Sequence, residues 1–347
     1  VDCGISDYEQ VSYAKSIGMD VIILDHHEIP GPLPDAVAAI NPHRHDCQFP
    51  FKHLAAVGIV FNFLIALRGK LREEGFWAKR RCPNLKQYLD LVALGTIGDI
   101  SPLLDENRIF TKIGLELISE GTRVGVRALK EVCGIEYQPV DTSRVSFTLL
   151  PRINAAGRIA SPDDAVRLLL TDDFHEARTL AIKLDDFNRK RQALEKAILQ
   201  DILKELDEGG KAEDLSSLVF ASSDWHPGVI GIVASRLVDR FCRPVMLISV
   251  KDGIGKGSGR SIADFNIYQG LRKCESLLLA YGGHQFAAGI SIRVDEIKEF
   301  GKLLDEVIRQ EVDVSQFVSQ TRIEAQCKLK DINIDLLSQI NMLAPFG

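Results

Sequence analysis

Val21-Ile22-Ile23-Leu24-Asp25-His26-His27 is the stretch whose reading decides the fold. Four apolar residues without a polar break read as a buried strand of a parallel sheet, whose two faces are covered by helices. Asp25, His26 and His27 then crowd the carboxyl end of that strand, the edge where open α/β sheets place their chemistry. Two further segments are expected to deliver a carboxylate in the same way: Val1-Asp2-Cys3-Gly4, and Ala93 onward to Gly98-Asp99. Taken singly, Asp2 and Asp99 read equally well as helix caps. Taken together, carboxylate oxygens and imidazole nitrogens converging from separate segments point to a divalent ion. Such a donor set suits Mn²⁺ or Mg²⁺, and the lack of thiolates disfavours structural zinc. Metal-assisted hydrolysis is the chemistry to expect.

Size and composition leave room for this. A chain of 347 residues, 46% of them hydrophobic, can bury more than one core, so two domains are expected. The apolar stretches are too short to span a bilayer, and no signal peptide is evident at the start. Seven scattered cysteines without a close pair argue for a reducing, cytoplasmic setting and against a disulfide framework. A net charge of −6 supplies no global basic field, so any nucleic acid must be held in a local groove.

The first part of the chain alternates apolar runs with helical patterns, the mark of a mostly parallel α/β domain. Helices are expected over residues 8–17, 53–67 and 85–97. Residues 174–206 carry one long helical pattern without Gly or Pro, which Glu208-Gly209-Gly210 should end. A second, smaller α/β pattern follows. Strands are expected at 218–220, 245–250 and 288–292, helices at 228–241, 267–279 and 294–308, and a glycine-rich turn or hairpin at 253–260. Beyond that lie a strand-like stretch at 323–329 and a short helix. The division is therefore residues 1–172, a connecting helix at 173–210, a second domain at 211–311, and a short segment at 312–347.

Three groups beyond the first cluster carry cations beside small residues. Pro151-Arg152-Ile153-Asn154-Ala155-Ala156-Gly157-Arg158 sets two arginines around residues that let a phosphate approach, although pairing with acidic neighbours fits the spacing as well. Trp225-His226-Pro227-Gly228, Gly255 to Ser261 (with Ser258 and Arg260) and Gly282-Gly283-His284 read as glycine-rich anion cradles. Arg189-Lys190-Arg191 on the long helix reads mainly as a solvated face with a minor part in guiding a strand.

With these residues laid out, the chain resembles the DHH phosphoesterase superfamily, and within it the RecJ-like single-strand-specific exonucleases. The segments that carry the resemblance are Val1 to Gly4, Asp25-His26-His27, Gly98-Asp99-Ile100, Arg152 to Arg158, Asn188 to Gln192, Gly257 to Ser261 and Gly282 to Gly289. The resemblance implies a metal-binding catalytic domain, a connecting helix and a DHH-associated domain that binds substrate. It implies two ions, Mn²⁺ or Mg²⁺, with Asp2 bridging them and His26 and Asp99 completing the shell of one. His27 would contact the scissile phosphate and Asp25 would orient a histidine, while Arg152, Arg158, Ser258, Arg260, Gly283 and His284 would hold phosphates. It also implies 5′→3′ hydrolysis of single-stranded DNA in repair and recombination, with a single-strand-binding protein and a helicase as partners and no membrane.

Two departures qualify the match. The superfamily's first, aspartate-rich metal motif has no counterpart after Val1, so the second ion would keep only Asp2. Ala344-Pro345-Phe346-Gly347 resembles the entry to a following oligonucleotide-binding barrel, which would make this chain a piece of a longer protein, nearly inactive by itself. Two rival readings stand beside the exonuclease. One is an oligoribonuclease or cyclic-dinucleotide phosphodiesterase of the same superfamily, separable by chain-length preference. The other is a non-catalytic scaffold in a replication complex, which should lack a tight manganese site.

Overall fold

The structure is a computed structural model that describes all residues except 30, 210–214, 314–316, 319–320 and 322. The chain forms two compact units. The first comprises Val1–Asn154, Pro162–Asp185 and Cys327–Gly347; the second comprises Ala155–Ser161 and Asp186–Gln326. The boundary thus cuts the long helix, and the tail belongs to the first unit.

In the first unit, helix α1 (Tyr8–Ser16) leads to strands β1 (Ile22–Leu24) and β2 (Ala38–Ile40), which pair in parallel with Ile22 opposite Ala38. Among the described residues this pair is the whole sheet of the unit; the rest is helical. The helices are α2 (Ala56–Glu73), α3 (Leu89–Gly98), α4 (Asp105–Glu120), α5 (Val124–Val132), α6 (Thr142–Arg144), α7 (Leu150–Ile159) and α8 (Asp163–Leu170). A π-helical turn, Val145–Leu149, joins α6 to α7. The expected helix over 85–97 begins as a single 3₁₀ turn, Leu85–Tyr88, before α3 proper.

Helix α3 is apolar on nearly every side, with Leu89, Val92, Ala93, Leu94 and Ile97 all buried, as a helix enclosed by others must be. Each of the Leu, Val and Ile side chains contributes about 1.5–3 kcal/mol on burial. Close approach by α4 requires Gly114: a Cβ there would lie 2.2 Å from the Leu89 carbonyl oxygen and 2.4 Å from the Ala93 Cβ. At its amino end, α3 is tied by buried Asp90, which takes 2.6 and 3.1 Å hydrogen bonds from the Arg123 guanidinium. These constraints matter because the helix's other end carries Asp99.

The tail packs on the same unit. Helix α13 (Ile334–Asn341) is followed by a segment whose carbonyls at Leu343, Ala344 (3.2 Å) and Pro345 (2.9 Å) accept from Arg108. Thr142 Oγ1 donates to the Phe346 carbonyl at 2.8 Å. The strand expected at 323–329 is not one. Ile323 is 79% and Leu329 90% exposed, so no partner strand or core rewards an extended run there.

Helix α9 (Phe174–Gly209) has 36 residues and is about 54 Å long. It gives its first third to one unit and the remainder to the other. Gly210, part of its expected stop, lies outside the described residues.

The second unit holds a five-stranded sheet in the order β3-β4-β5-β7-β6. The strands are β3 (Leu218–Ser222), β4 (Val245–Lys251), β5 (Ile254–Arg260), β6 (Leu278–Gly283) and β7 (Ala287–Arg293). Strands β3 and β4 are parallel, joined through α10 (Pro227–Phe241); the other pairings are antiparallel. Along β4 the side chains alternate, as a two-residue period demands. Val245 and Leu247 enter a core with Ile198, Ile202 and Val233, while Met246 and Ile248 enter another with Phe265, Ile290 and Phe300. Helices α11 (Ile267–Lys273) and α12 (Ile297–Glu311) serve the second core.

Of two expectations here, the one for 253–260 holds in its hairpin alternative, β5 pairing antiparallel with β4 across Asp252-Gly253, and the other fails. Residues 254–260 form strand β5, and only Asp252-Gly253 turns. Gly255, Gly257 and Gly259 face the core, where Ile248, Ile290 and Ile267 already fill the space that side chains would need. The helix expected over 267–279 stops at Lys273, and Leu278 starts β6. Packing by neighbours overrides the local glycine and helix signals.

Candidate functional site

The cluster at the end of β1 forms as the strand reading anticipated. Asp25 N donates to the Ile40 carbonyl at 3.1 Å, extending the β1–β2 ladder, and Asp2 N donates to Leu24 at 2.9 Å on the other side of β1. Asp2 itself has φ of 61°, a left-handed conformation that aspartate tolerates better than most residues. Asp25 is 1% exposed. Its Oδ1 takes the backbone N–H groups of His26 (2.8 Å) and His27 (3.2 Å) and meets His27 Nδ1 at 2.7 Å; its Oδ2 takes Ile5 N at 3.1 Å. Burial pushes this carboxyl up, but the His27 ring and the three N–H groups outweigh it and hold it below its ordinary value. With an ionised acceptor on Nδ1, neutral His27 carries its proton there and leaves Nε2 available. Asn41 Nδ2 donates to the His27 carbonyl at 2.9 Å and steadies the same turn.

Ligand atoms of Asp2, His26 and His27 all lie within 4.8 Å of one another. The His26 ring is flanked by both remaining carboxylates: Nε2 is 3.3 Å from Asp2 Oδ1, and Nδ1 is 3.6 Å from Asp99 Oδ2. One imidazole cannot give both nitrogens to one ion. Whichever nitrogen ligates, the other meets a carboxylate, the arrangement that fixes the tautomer and orientation of a ligating histidine. Oxygen and nitrogen donors, partly exposed and convergent, fit a hard or borderline divalent cation.

Asp99 arrives differently from the strand-end delivery expected of it. It is the C-cap of α3, with Ser101 Oγ donating to its Oδ2 at 2.8 Å. Ile100 N bonds the Ile97 carbonyl and Ser101 N the Thr96 carbonyl, which is a Schellman termination. The left-handed position of that motif normally takes glycine; here it is Ile100, with φ of 56° and 90% exposure. A β-branched residue there costs about 1–2 kcal/mol.

The second unit assembles a cationic pocket. Arg158, near the end of α7, reaches the Gly228 carbonyl at 3.4 Å, and Arg260 on β5 bonds Ser258 Oγ (3.2 Å) and the Gly259 carbonyl (2.8 Å). Gly231 of α10 makes room: a Cβ would lie 2.8 Å from Ser258 Oγ and 3.2 Å from an Arg260 nitrogen. Burial lowers the Arg158 guanidinium's proton affinity first and Arg191 second, with Glu195 opposing; for Arg260 the causes are burial, then Arg158. Among the described residues neither arginine has a carboxylate within ion-pair distance. Glu195, 2% exposed, is taken instead by Arg191 at 2.7 Å and by Arg236. Two desolvated cations facing each other without a counter-charge are a place for an anion.

The other residues singled out in sequence divide. Arg152 does not join Arg158; it pairs with Asp185 at 2.9 Å and donates to the Thr148 carbonyl. Arg191 is buried and held by Asn188 and Glu195, whereas Arg189 and Lys190 are exposed, so the basic run on α9 is the solvated face expected at two of its three positions. Gly283 has φ of 143° and lies too close to Ala287 for any Cβ, so it shapes the β6–β7 connection. His284 N bonds the Ala287 carbonyl at 2.8 Å. Arg260 pairs in register with Ala287 and Gly283 with Ala288, so all three sit at one end of β7.

The DHH family N-terminal domain matches residues 1–96, and the DHHA1 domain matches residues 214–310. Over its whole length the chain is 38% identical to the single-stranded-DNA-specific exonuclease RecJ of Bacillus subtilis, of which it spans 42%. It is 38% identical to the RecJ of Escherichia coli, of which it spans 62%. The crystal structure of RecJ with Mn²⁺ from Thermus thermophilus superposes with a TM-score of 0.78 at 36% identity, over 90% of this chain and 45% of that one. A manganese-bound exonuclease RecJ gives a TM-score of 0.75 at 35% identity, over 92% of this chain and 77% of that one. Fold, cluster and domain matches define a DHH-type α/β protein with a DHHA1 domain. More narrowly, the chain belongs to the RecJ family.

Proposed function

We propose that this chain is the catalytic core of an exonuclease that hydrolyses single-stranded DNA from 5′ to 3′ in repair and recombination, with Mn²⁺ or Mg²⁺ as cofactor. The convergence of Asp2, His26, His27 and Asp99 carries the proposal. The relatives named single-stranded-DNA-specific exonucleases support it, as do the Mn²⁺ and Mg²⁺ complexes of the Thermus thermophilus protein.

On this reading residues 1–172 carry the metal-binding domain, 173–210 the connecting helix and 211–311 the substrate-binding domain. Asp2, His26 and Asp99 would make up the metal group, His26 ligating through one ring nitrogen while the carboxylate at its other nitrogen orients the ring. When bound, a divalent ion activates water and neutralises phosphate charge. His27, its ring oriented by Asp25 at Nδ1, would contact the scissile phosphate through Nε2, an interaction in which Nε2 must carry a proton. Arg158 and Arg260 would bind phosphate because, among the described residues, no carboxylate pairs with them, and the Ser258 hydroxyl beside Arg260 would add a neutral hydrogen bond. The partners are single-stranded DNA, a single-strand-binding protein and a helicase, and the compartment is the cytoplasm.

The test is manganese-dependent release of nucleotides from single-stranded DNA, with duplex DNA and matched RNA alongside. Replacing His26 or Asp99 with Ala should abolish release. Unchanged release by either variant would overturn the assignment, and a preference for short RNA would move the substrate class.

A further inference from the structure

A hollow of about 500 Å³ opens within the first unit at the end of α3, lined by Gly98 and Ile100 on either side of Asp99 in the chain, inside the roughly 300–1,000 Å³ range of ligand sites. Gly98, Ile100 and Ser101 line one part of it, and Ser146, Phe147 and Asn154 another. Ile100 is 90% and Phe147 80% exposed. A single exposed apolar residue is ordinary. These two are not ordinary, because each is held outward by an unusual backbone. Ile100 occupies the left-handed position of the α3 termination. Phe147 is the middle residue of a π-helical turn whose ends, Val145 and Leu149, are fully buried, so the ring cannot turn inward. Such turns and such strained positions concentrate at functional sites. An exposed aromatic face, a branched aliphatic wedge, a hydroxyl and an amide around one hollow match the flat apolar faces and polar edge of a nucleobase.

We propose that this hollow is a nucleobase subsite. The base of a nucleotide next to the metal cluster stacks on Phe147 against Ile100, its edge turned to Ser146 and Asn154. The inference rests on the nuclease reading and extends it. Stacking on an aromatic face is indifferent to which base is presented, which suits an enzyme that must accept any sequence.

The test measures affinity for a fluorescent single-stranded oligodeoxynucleotide in EDTA, alongside the same oligonucleotide carrying consecutive abasic sites. Phe147→Ala should weaken binding of the intact strand about 5- to 150-fold, the range for losing one base–aromatic stack. It should leave the abasic strand's binding unchanged. Ile100→Gly relieves a strained backbone, so its melting temperature should hold or rise while its affinity for the intact strand falls. A merely structural role would move stability and binding together. Equal losses on intact and abasic strands, or none on either, would overturn the subsite. A wild-type chain that binds the strand through Arg260 yet ignores Phe147 removes the subsite alone. One that binds no single strand removes the nuclease reading with it.

Discussion

The two polar sites of this protein are built in opposite ways. The metal cluster of the first unit is assembled by backbone: Asp25 is pinned by three N–H groups, Asp2 by a bond to β1, and Asp99 by the termination of a buried helix. Its charges are opposite in kind to the cation it fits, and the Asp2 and Asp99 carboxylates remain partly open. The cradle of the second unit is assembled by side chains from α7, α9 and β5 in space that Gly231 of α10 leaves open, and its charges are like. Among the described residues there, the one deeply buried carboxylate, Glu195, pairs with Arg191 and Arg236, and no carboxylate pairs with Arg158 or Arg260. A site for a metal needs fixed donors; a site for a sliding phosphate needs charge that the protein has not already cancelled.

That contrast can be broken at several points. The largest effect should come from His26→Ala, which removes the ring that both Asp2 and Asp99 address; hydrolysis should vanish in a single-turnover assay. Next, Glu195→Gln leaves two guanidiniums without their shared counter-charge, and thermal or urea unfolding should show a loss of about 3–5 kcal/mol. Arg260→Ala should cost about 1.5–3 kcal/mol in single-strand affinity and reduce the salt slope of binding by about 1, without affecting manganese binding. Asp25→Asn should lower activity about 10- to 100-fold by freeing the His27 ring.

The smallest effect is a pH dependence. Asp25 binds its proton less readily folded than unfolded, so its stabilisation is present above the ordinary value of 3.8 and is lost as pH falls through the lowered folded value. In acid titrations followed by circular dichroism, Asp25→Asn should flatten that limb.

Much of this was legible in the chain because its signals were local. The apolar run before Asp25 marks a strand whatever surrounds it, and α9 and α10 follow from uninterrupted helical periods. The cluster members lie at ends of such elements, so their convergence could be anticipated. What could not be read was set by distant neighbours. β5 has the glycine content of a turn because Ile248, Ile290 and Ile267 occupy the volume its side chains would need. Arg152 and Arg158 look alike in sequence, yet Asp185 claims one and leaves the other. Arg191 looked solvated because Glu195, one turn on, gives no sign of being buried. Ile100 gave no warning either, since left-handed helix ends are read from glycine or asparagine.

The most direct measurement is anomalous scattering from crystals of this chain soaked in millimolar Mn²⁺. A peak bonded to His26, with Asp2 and Asp99 as the flanking carboxylates, is the expected result, and it should be missing in His26→Ala crystals. Manganese bound elsewhere with this group empty, or a peak that persists without the imidazole, would contradict a divalent-metal centre at the end of β1.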